Sequence, residues 1–234
     1  NHSSDKDDYV TNDIKINNNL EITNLSFKYN QDSNFVLKDL SLSLNLGEHI
    51  GLVGKSGQGK TTLIDILMGL LSPQSGSLKI DGKSVPIETL RSLRSHIALV
   101  PQDVYLLDAS IAENVAAGLD YESIDLDRVH KVLKDVELTS KVNSLENGIH
   151  EIVGERGLSL SGGEKQRIGI ARALYRSCEI IILDEATSAL DSVSEKRVIE
   201  NIYSRYKEST VISIAHRFST LANCNRIYNL LDGS

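Results

Sequence analysis

The string Gly54-Lys55-Ser56-Gly57-Gln58-Gly59-Lys60-Thr61 constrains this chain more than any other feature, because it follows the short apolar run 49–53 and opens a helical pattern. Glycines at this spacing let the backbone curl until successive N–H groups point inward at an anion. The helix N-terminus behind the loop adds its partial positive charge. In such a loop Lys60 reaches the β- and γ-phosphates of a nucleotide and the Thr61 hydroxyl ligates Mg²⁺. Gly54, Ser56, Gly57, Gly59, Lys60, Thr61 and Thr62 are the candidate nucleotide-binding residues here.

The rest of the chain offers a sheet to carry that loop. Residues 20–29 and 40–46 alternate apolar and polar side chains, the pattern of two antiparallel strands with one solvated face. Short apolar runs at 49–53, 97–100, 180–183, 211–215 and 227–231 are separated by helical patterns, which predicts a mostly parallel sheet covered on both faces. The fold class expected is α/β: a phosphate-loop ATPase core with an antiparallel β subdomain and an inserted helical subdomain. The insert is the block 103–175, helical in periodicity and without a convincing strand. Its clearest helix is 126–136, with apolar residues at Leu126, Val129, Val132, Leu133 and Val136. Capping boxes predict helix starts at Ser161 with Glu164 and at Ser192 with Glu195. Residues 1–19, rich in Asn, Asp and Ser, read as a solvated linker before a domain spanning 20–234.

Composition narrows the partners. No run approaches the roughly 18 apolar residues of a membrane span, and the N-terminus lacks the apolar core of a signal peptide. A net charge of −7 argues against nucleic acid as a partner. Cys178 and Cys224 lie far apart beside apolar runs, as buried reduced thiols would, and no Cys/His spacing suggests a metal cage.

A second motif completes a nucleotide site. The run Ile180-Ile181-Ile182-Leu183 ends in Asp184-Glu185. Asp184 is placed to hold Mg²⁺, and Glu185 to orient and deprotonate an attacking water. A third motif, Leu160-Ser161-Gly162-Gly163-Glu164-Lys165-Gln166-Arg167, makes another anion nest at a helix start, although the chain already has its phosphate loop.

These three motifs resemble those of ABC ATPase domains, and the resemblance extends from about residue 20 to 231. It departs from the common signature at Glu164, where many members carry Gln. The resemblance implies ATP and Mg²⁺ as cofactors and a head-to-tail pair of domains, in which Ser161, Gly162 and Gly163 of each copy close on the γ-phosphate held by the other. It further implies Tyr29 as the aromatic that stacks on adenine, Gln102 as a sensor of Mg²⁺ and water, Asp191 as the link between the two ATP sites, and His216 as the switch on the γ-phosphate. The catalytic set is then Glu185, His216, Lys60 and Gln102, with Thr61, Gln102 and Asp184 at the metal.

Two segments are similar to the exporter branch. Val153-Gly154-Glu155-Arg156-Gly157 resembles the loop that senses coupling helices, and residues 104–115 resemble the segment on which membrane domains dock. The implied partners are transmembrane domains of the same transporter, on the same parent chain, and a second ATP-binding domain, as a homodimer. The implied location is the cytoplasmic face of a membrane, the inner membrane if the source is bacterial. Residues 63–71 and 105–109 resemble bacterial flippases of lipid-linked oligosaccharides and polysaccharides. Repair and chromosome ATPases of the superfamily split these motifs with a long coiled coil, translation factors carry two such units, and a non-hydrolysing sensor would lack Glu185 or His216. The family pattern also continues past residue 231 through another strand and a helix, so the expectation is a chain shortened at its C-terminus.

Overall fold

The computed structural model describes residues 15–55, 57–155, 158–214 and 221–230. Ser56, Arg156, Gly157 and His216 lie outside the described residues. The chain enters through β1 (Asn19–Phe27) and β2 (Leu37–Asn45), then β3 (His49–Val53), helix α1 (Lys60–Leu67), β4 (Ser75–Ile80) and β5 (Lys83–Val85). A 3-10 stretch, Ile87–His96, leads into β6 (Ile97–Val100). The following block holds β7 (Ala109–Ser110), α2 (Ile111–Val115), α3 (Leu126–Asp135), α4 (Thr139–Asn143), β8 (Ile152–Val153) and α5 (Gly162–Arg176). Then come β9 (Ile180–Asp184), α6 (Ser192–Arg205), β10 (Thr210–Ile214) and β11 (Arg226–Asn229).

Five strands form a parallel sheet in the order β11-β3-β10-β9-β6. Its alternate residues feed two separate cores. Ile180 and Ile182 of β9 and Ile212 and Ile214 of β10 pack with α1 and the antiparallel strands. Ile181, Leu183 and Val211 pack with α3, α5 and α6. Strands covered on both faces read as unbroken apolar runs, which is why β9 is Ile-Ile-Ile-Leu. The second sheet, β2-β1-β4-β5, is antiparallel. In β2 the leucines at 37, 40, 42 and 44 are buried while Ser41 and Ser43 are partly exposed.

Several details differ from expectation. Ile16 is buried, and the backbone amides of Asn17, Asn18 and Asn19 donate to the Asp81 carboxylate at 2.7–3.2 Å. Packed structure therefore begins inside the stretch read as linker. Strands β4 and β5 went unread because their residues are mostly polar; β4 pairs with β1, distant in sequence, and with β5 across the tight turn Asp81-Gly82. The 103–175 block holds two short strands, β7 and β8, paired antiparallel. Helix α6 is capped by Asp191, whose carboxylate accepts from Val193 and Ser194 N–H. Glu195, expected to close a box with Ser192, is buried and accepts from the Thr187 hydroxyl at 2.7 Å.

Candidate nucleotide site

Parallel register aligns the carboxyl ends of four adjacent strands. Leu52 pairs with Ile214, Ile214 with Asp184, and Leu183 with Val100. Ligands of open α/β sheets bind in the crevice outside such ends. The loop 54–59 leaves β3 there, Asp184 and Glu185 leave β9, and Gln102 follows β6.

The loop's shape depends on glycine at two places. Gly57 has φ +80° and Gly59 φ +87°, a region L-residues avoid. At Gly59 there is also no room, since an added Cβ would lie 2.7 Å from Leu37 Cδ2 and 3.2 Å from the Val36 carbonyl. The Lys60 ammonium turns back into the loop and donates to the Gly54 carbonyl at 2.7 Å and that of Lys55 at 3.0 Å. That holds a positive charge at the mouth of the curled backbone.

Around this loop is a cleft of 440 Å³ lined by Tyr29, Val36, Gly57, Gly59, Lys60, Thr61, Thr62, Gln102, Asp184 and Glu185. Tyr29 stands at its edge, 58% exposed, fixed by a 3.0 Å hydrogen bond to the Thr62 hydroxyl and an edge-on contact with Phe27. Its open ring face suits a planar base. Burial raises the Asp184 carboxyl above the ordinary range, the Glu185 charge pushes the same way, Lys60 opposes both and Asp65 adds to them. A cation at Asp184 would offset that cost. With the Thr61 hydroxyl and Gln102 amide it gives the hard oxygen donors that Mg²⁺ selects. Among the described residues no group of three or more His, Cys, Asp or Glu gathers as a metal cage. Glu185 has φ +49° and is pinned by its N–H to the Ile214 carbonyl at 3.0 Å. A non-glycine residue held there sits at the kind of strained position found at functional sites.

Ser161, Gly162 and Gly163 do not line this cleft. They cap α5, where the Ser161 hydroxyl accepts from Glu164 N–H at 3.3 Å and donates to the Glu164 carboxylate at 2.9 Å. Lys141 pairs with the other Glu164 oxygen at 3.3 Å. The two glycines leave space for the 189–190 backbone, since a Cβ on Gly163 would meet the Ala189 carbonyl at 3.1 Å. Asp191 also lies off the cleft, at its own helix cap.

The match to the protein-family model for ABC transporters covers residues 37–188, from β2 through the phosphate loop and signature to the turn after β9. The chain belongs to the ABC transporter family. The matched span contains the phosphate loop, the Ser161 motif and the acid-ended strand β9. Among relatives, the "ATP-dependent lipid A-core flippase" of Burkholderia pseudomallei is 43% identical over 216 residues, which is 92% of this chain and 36% of that protein. The chloroplastic "ABC transporter B family member 29" of Arabidopsis thaliana is 44% identical over 92% of this chain and 34% of its own length. A solved structure of a bacterial Atm1-family ABC exporter with ATP bound matches with TM-score 0.82 and 36% identity, over 92% of this chain and 38% of that one. The chain thus spans about a third of the length of these relatives.

Two functional features of this ABC domain escaped sequence reading. Val36 lines the cleft through a turn that donates its N–H back to the Phe27 carbonyl. Gln166 is buried and joins two loops by three hydrogen bonds. Its signal was a lone amide on the buried stripe with Ile170, Ala173 and Leu174, where a polar group must find partners.

Proposed function

We propose that this domain binds and hydrolyses ATP between two copies arranged head to tail, and that the cycle drives an exporter. The observation that carries the reading is the Ser161 motif, a Gly-Gly helix N-terminus that stands apart from the chain's own cleft. It fits a γ-phosphate presented by a second molecule, and the signature motif supports the same role.

In this reading Tyr29 stacks on adenine, the loop amides and Lys60 grip the phosphates, and Thr61 and Asp184 would hold Mg²⁺ with Gln102 beside them. The metal, when bound, neutralises charge on the phosphate oxygens. Glu185 orients a water and takes its proton as the oxygen attacks the γ-phosphorus and the bond to the β–γ bridging oxygen breaks. His216 is assigned to the γ-phosphate from the motif order. Binding γ-phosphate in only the closed state supplies the free energy of closure.

Exporter function is supported by a surface that two sequence segments build together. β7 and β8 pair, so residues 104–110 lie beside 152–155. Gly154, at φ +113°, fits against Asp108 and the Leu107 carbonyl, where a Cβ would collide. Tyr105, 71% exposed, and Leu107 present apolar surface there, while Leu106 turns inward. Such a patch suits docking by membrane domains. No helix of the described residues is long and apolar enough to cross a membrane. Those domains would therefore come from another segment or chain, with this domain on the cytoplasmic face. The lipid A-core flippase among the relatives makes a lipid or lipid-linked glycan the proposed cargo. Glu185→Gln tests the hydrolytic assignment: ATP binding should persist while turnover falls by a factor of about a hundred or more, and normal turnover would remove Glu185 from the base role.

A further inference from the structure

Gln166 lies on α5 a turn and a half beyond the Ser161 nest and is 4% exposed. Its amide nitrogen donates to the backbone carbonyl of Gln102 at 3.2 Å and to the Ser188 hydroxyl at 2.9 Å. Its amide oxygen accepts from the Ala189 N–H at 2.8 Å. Gln102 lines the ATP cleft, and Ser188 and Ala189 belong to the turn that starts at Glu185, whose carbonyl accepts the Ser188 N–H at 3.0 Å. One side chain therefore links the base of the signature nest to two loops of the hydrolytic cleft.

The chemistry asks for an amide. Two donors and an acceptor must converge inside a buried space, which neither a carboxylate nor an apolar side chain supplies. The glycines of the nest complete the arrangement, because a Cβ on Gly163 would press on the Ala189 carbonyl beside the same link.

We propose that Gln166 is a positioning residue, which sets Gln102 and the 185–189 turn relative to the chain's own signature nest. Attacking water and the partner-facing nest then reach their places together. This rests on the head-to-tail reading above, in which the nest serves the other copy's ATP. Gln166 touches no substrate. It acts through the two loops, and a misplacement of about 1 Å at reacting groups can cost a hundredfold in rate.

The test compares steady-state ATP hydrolysis by the wild-type chain, Gln166→Met, Ser188→Ala and the double variant, with ATP binding followed by a fluorescent nucleotide analogue and folding by thermal melting. Gln166→Met should lower kcat about tenfold or more while KM and nucleotide binding stay within about threefold. The double variant should lose less than the two single losses combined, because both changes cut the Gln166–Ser188 contact. A Gln166→Met protein that turns over at the wild-type rate overturns the proposal, as does one whose loss lies wholly in KM. Should Gln166→Met fail to fold, Ser188→Ala, at an exposed position, decides alone: a several-fold drop in kcat supports the link and an unchanged kcat sinks it. A wild-type chain without ATP-dependent dimerisation or turnover would instead overturn the head-to-tail reading.

Discussion

Replacing Gly57 and Gly59 separately by alanine should give unequal losses of stability, although the two glycines sit two residues apart in one loop. Both have positive φ, +80° and +87°, so alanine at either carries a left-handed cost of about 1 kcal/mol. They differ in space. A Cβ at Gly57 meets nothing within 4 Å, whereas one at Gly59 lies 2.7 Å from Leu37 Cδ2, 3.1 Å from Val36 Cγ1 and 3.2 Å from the Val36 carbonyl. Leu37 is buried in the core and the carbonyl is backbone, so neither can simply rotate aside. Forcing a methyl into a packed site adds about 2 kcal/mol, for a total of about 3 kcal/mol at Gly59. In a chain of this length each kcal/mol moves the melting temperature by about 2–4 °C. Gly57→Ala should therefore melt about 3 °C lower and Gly59→Ala about 9 °C lower, by circular dichroism without nucleotide. Equal losses, or a larger loss at Gly57, would refute the claim that β2 and the turn before it clamp this loop.

Asp135→Ala should be among the most destabilising single changes. Asp135 is fully buried, meets the Arg205 guanidinium, accepts from the Tyr206 hydroxyl at 2.7 Å, and its carbonyl accepts from the Asn201 amide at 2.9 Å. Urea unfolding should show a loss of about 3 kcal/mol. Glu164→Gln keeps an oxygen for the Ser161 cap but drops the ion pair with Lys141, so stability should change by less than about 1 kcal/mol. With one negative charge fewer beside the nest, half-maximal turnover should need less ATP, which a rate titration checks. For Asp81, burial works against the charged form, but hydrogen bonds from the Asn17 side chain and the amides of residues 17–19 outweigh it and hold the carboxyl at about 2, below its ordinary 3.8. A lowered folded-state value means stability that is complete above pH 4 and lost as pH falls through 2. The stability gap between wild type and Asp81→Asn should therefore be constant above pH 5 and close between pH 4 and 2, as read from denaturant midpoints.

Much of the sheet was legible because its physics is local in sequence. A strand covered on both faces must be apolar at every position, and residues 180–183 say so without help. The phosphate loop is legible for a similar reason, since its glycines answer to local backbone shape and its lysine reaches carbonyls only five and six residues away. What escaped depends on distant partners. β4 was hidden because four of its six residues are serine, glycine or lysine, and its pairing with β1 is distant in sequence. The cap of α6 fell one residue earlier than read: Asp191 accepts from Val193 and Ser194 N–H, and Glu195 turns instead to Thr187 in the preceding turn. Leu106 could not be told from Tyr105 or Leu107 as an inward residue until the loop was folded. Gln166 showed only as a lone amide on a buried stripe, and its role was hidden because its partners lie 64, 22 and 23 residues away. His216 and Ser56 lie outside the described residues, so their assignments rest on motif order alone.

In the proposed head-to-tail pair, the Ser161 nest of one copy closes on ATP held by the other. Light scattering on Glu185→Gln, with and without ATP and Mg²⁺, tests it most directly. The monomer should become a dimer only with ATP and Mg²⁺, and should return to monomer when Ser161→Arg is added, with nucleotide binding retained. A Glu185→Gln protein that binds ATP yet stays monomeric at every concentration, or a dimer indifferent to Ser161→Arg, would contradict it.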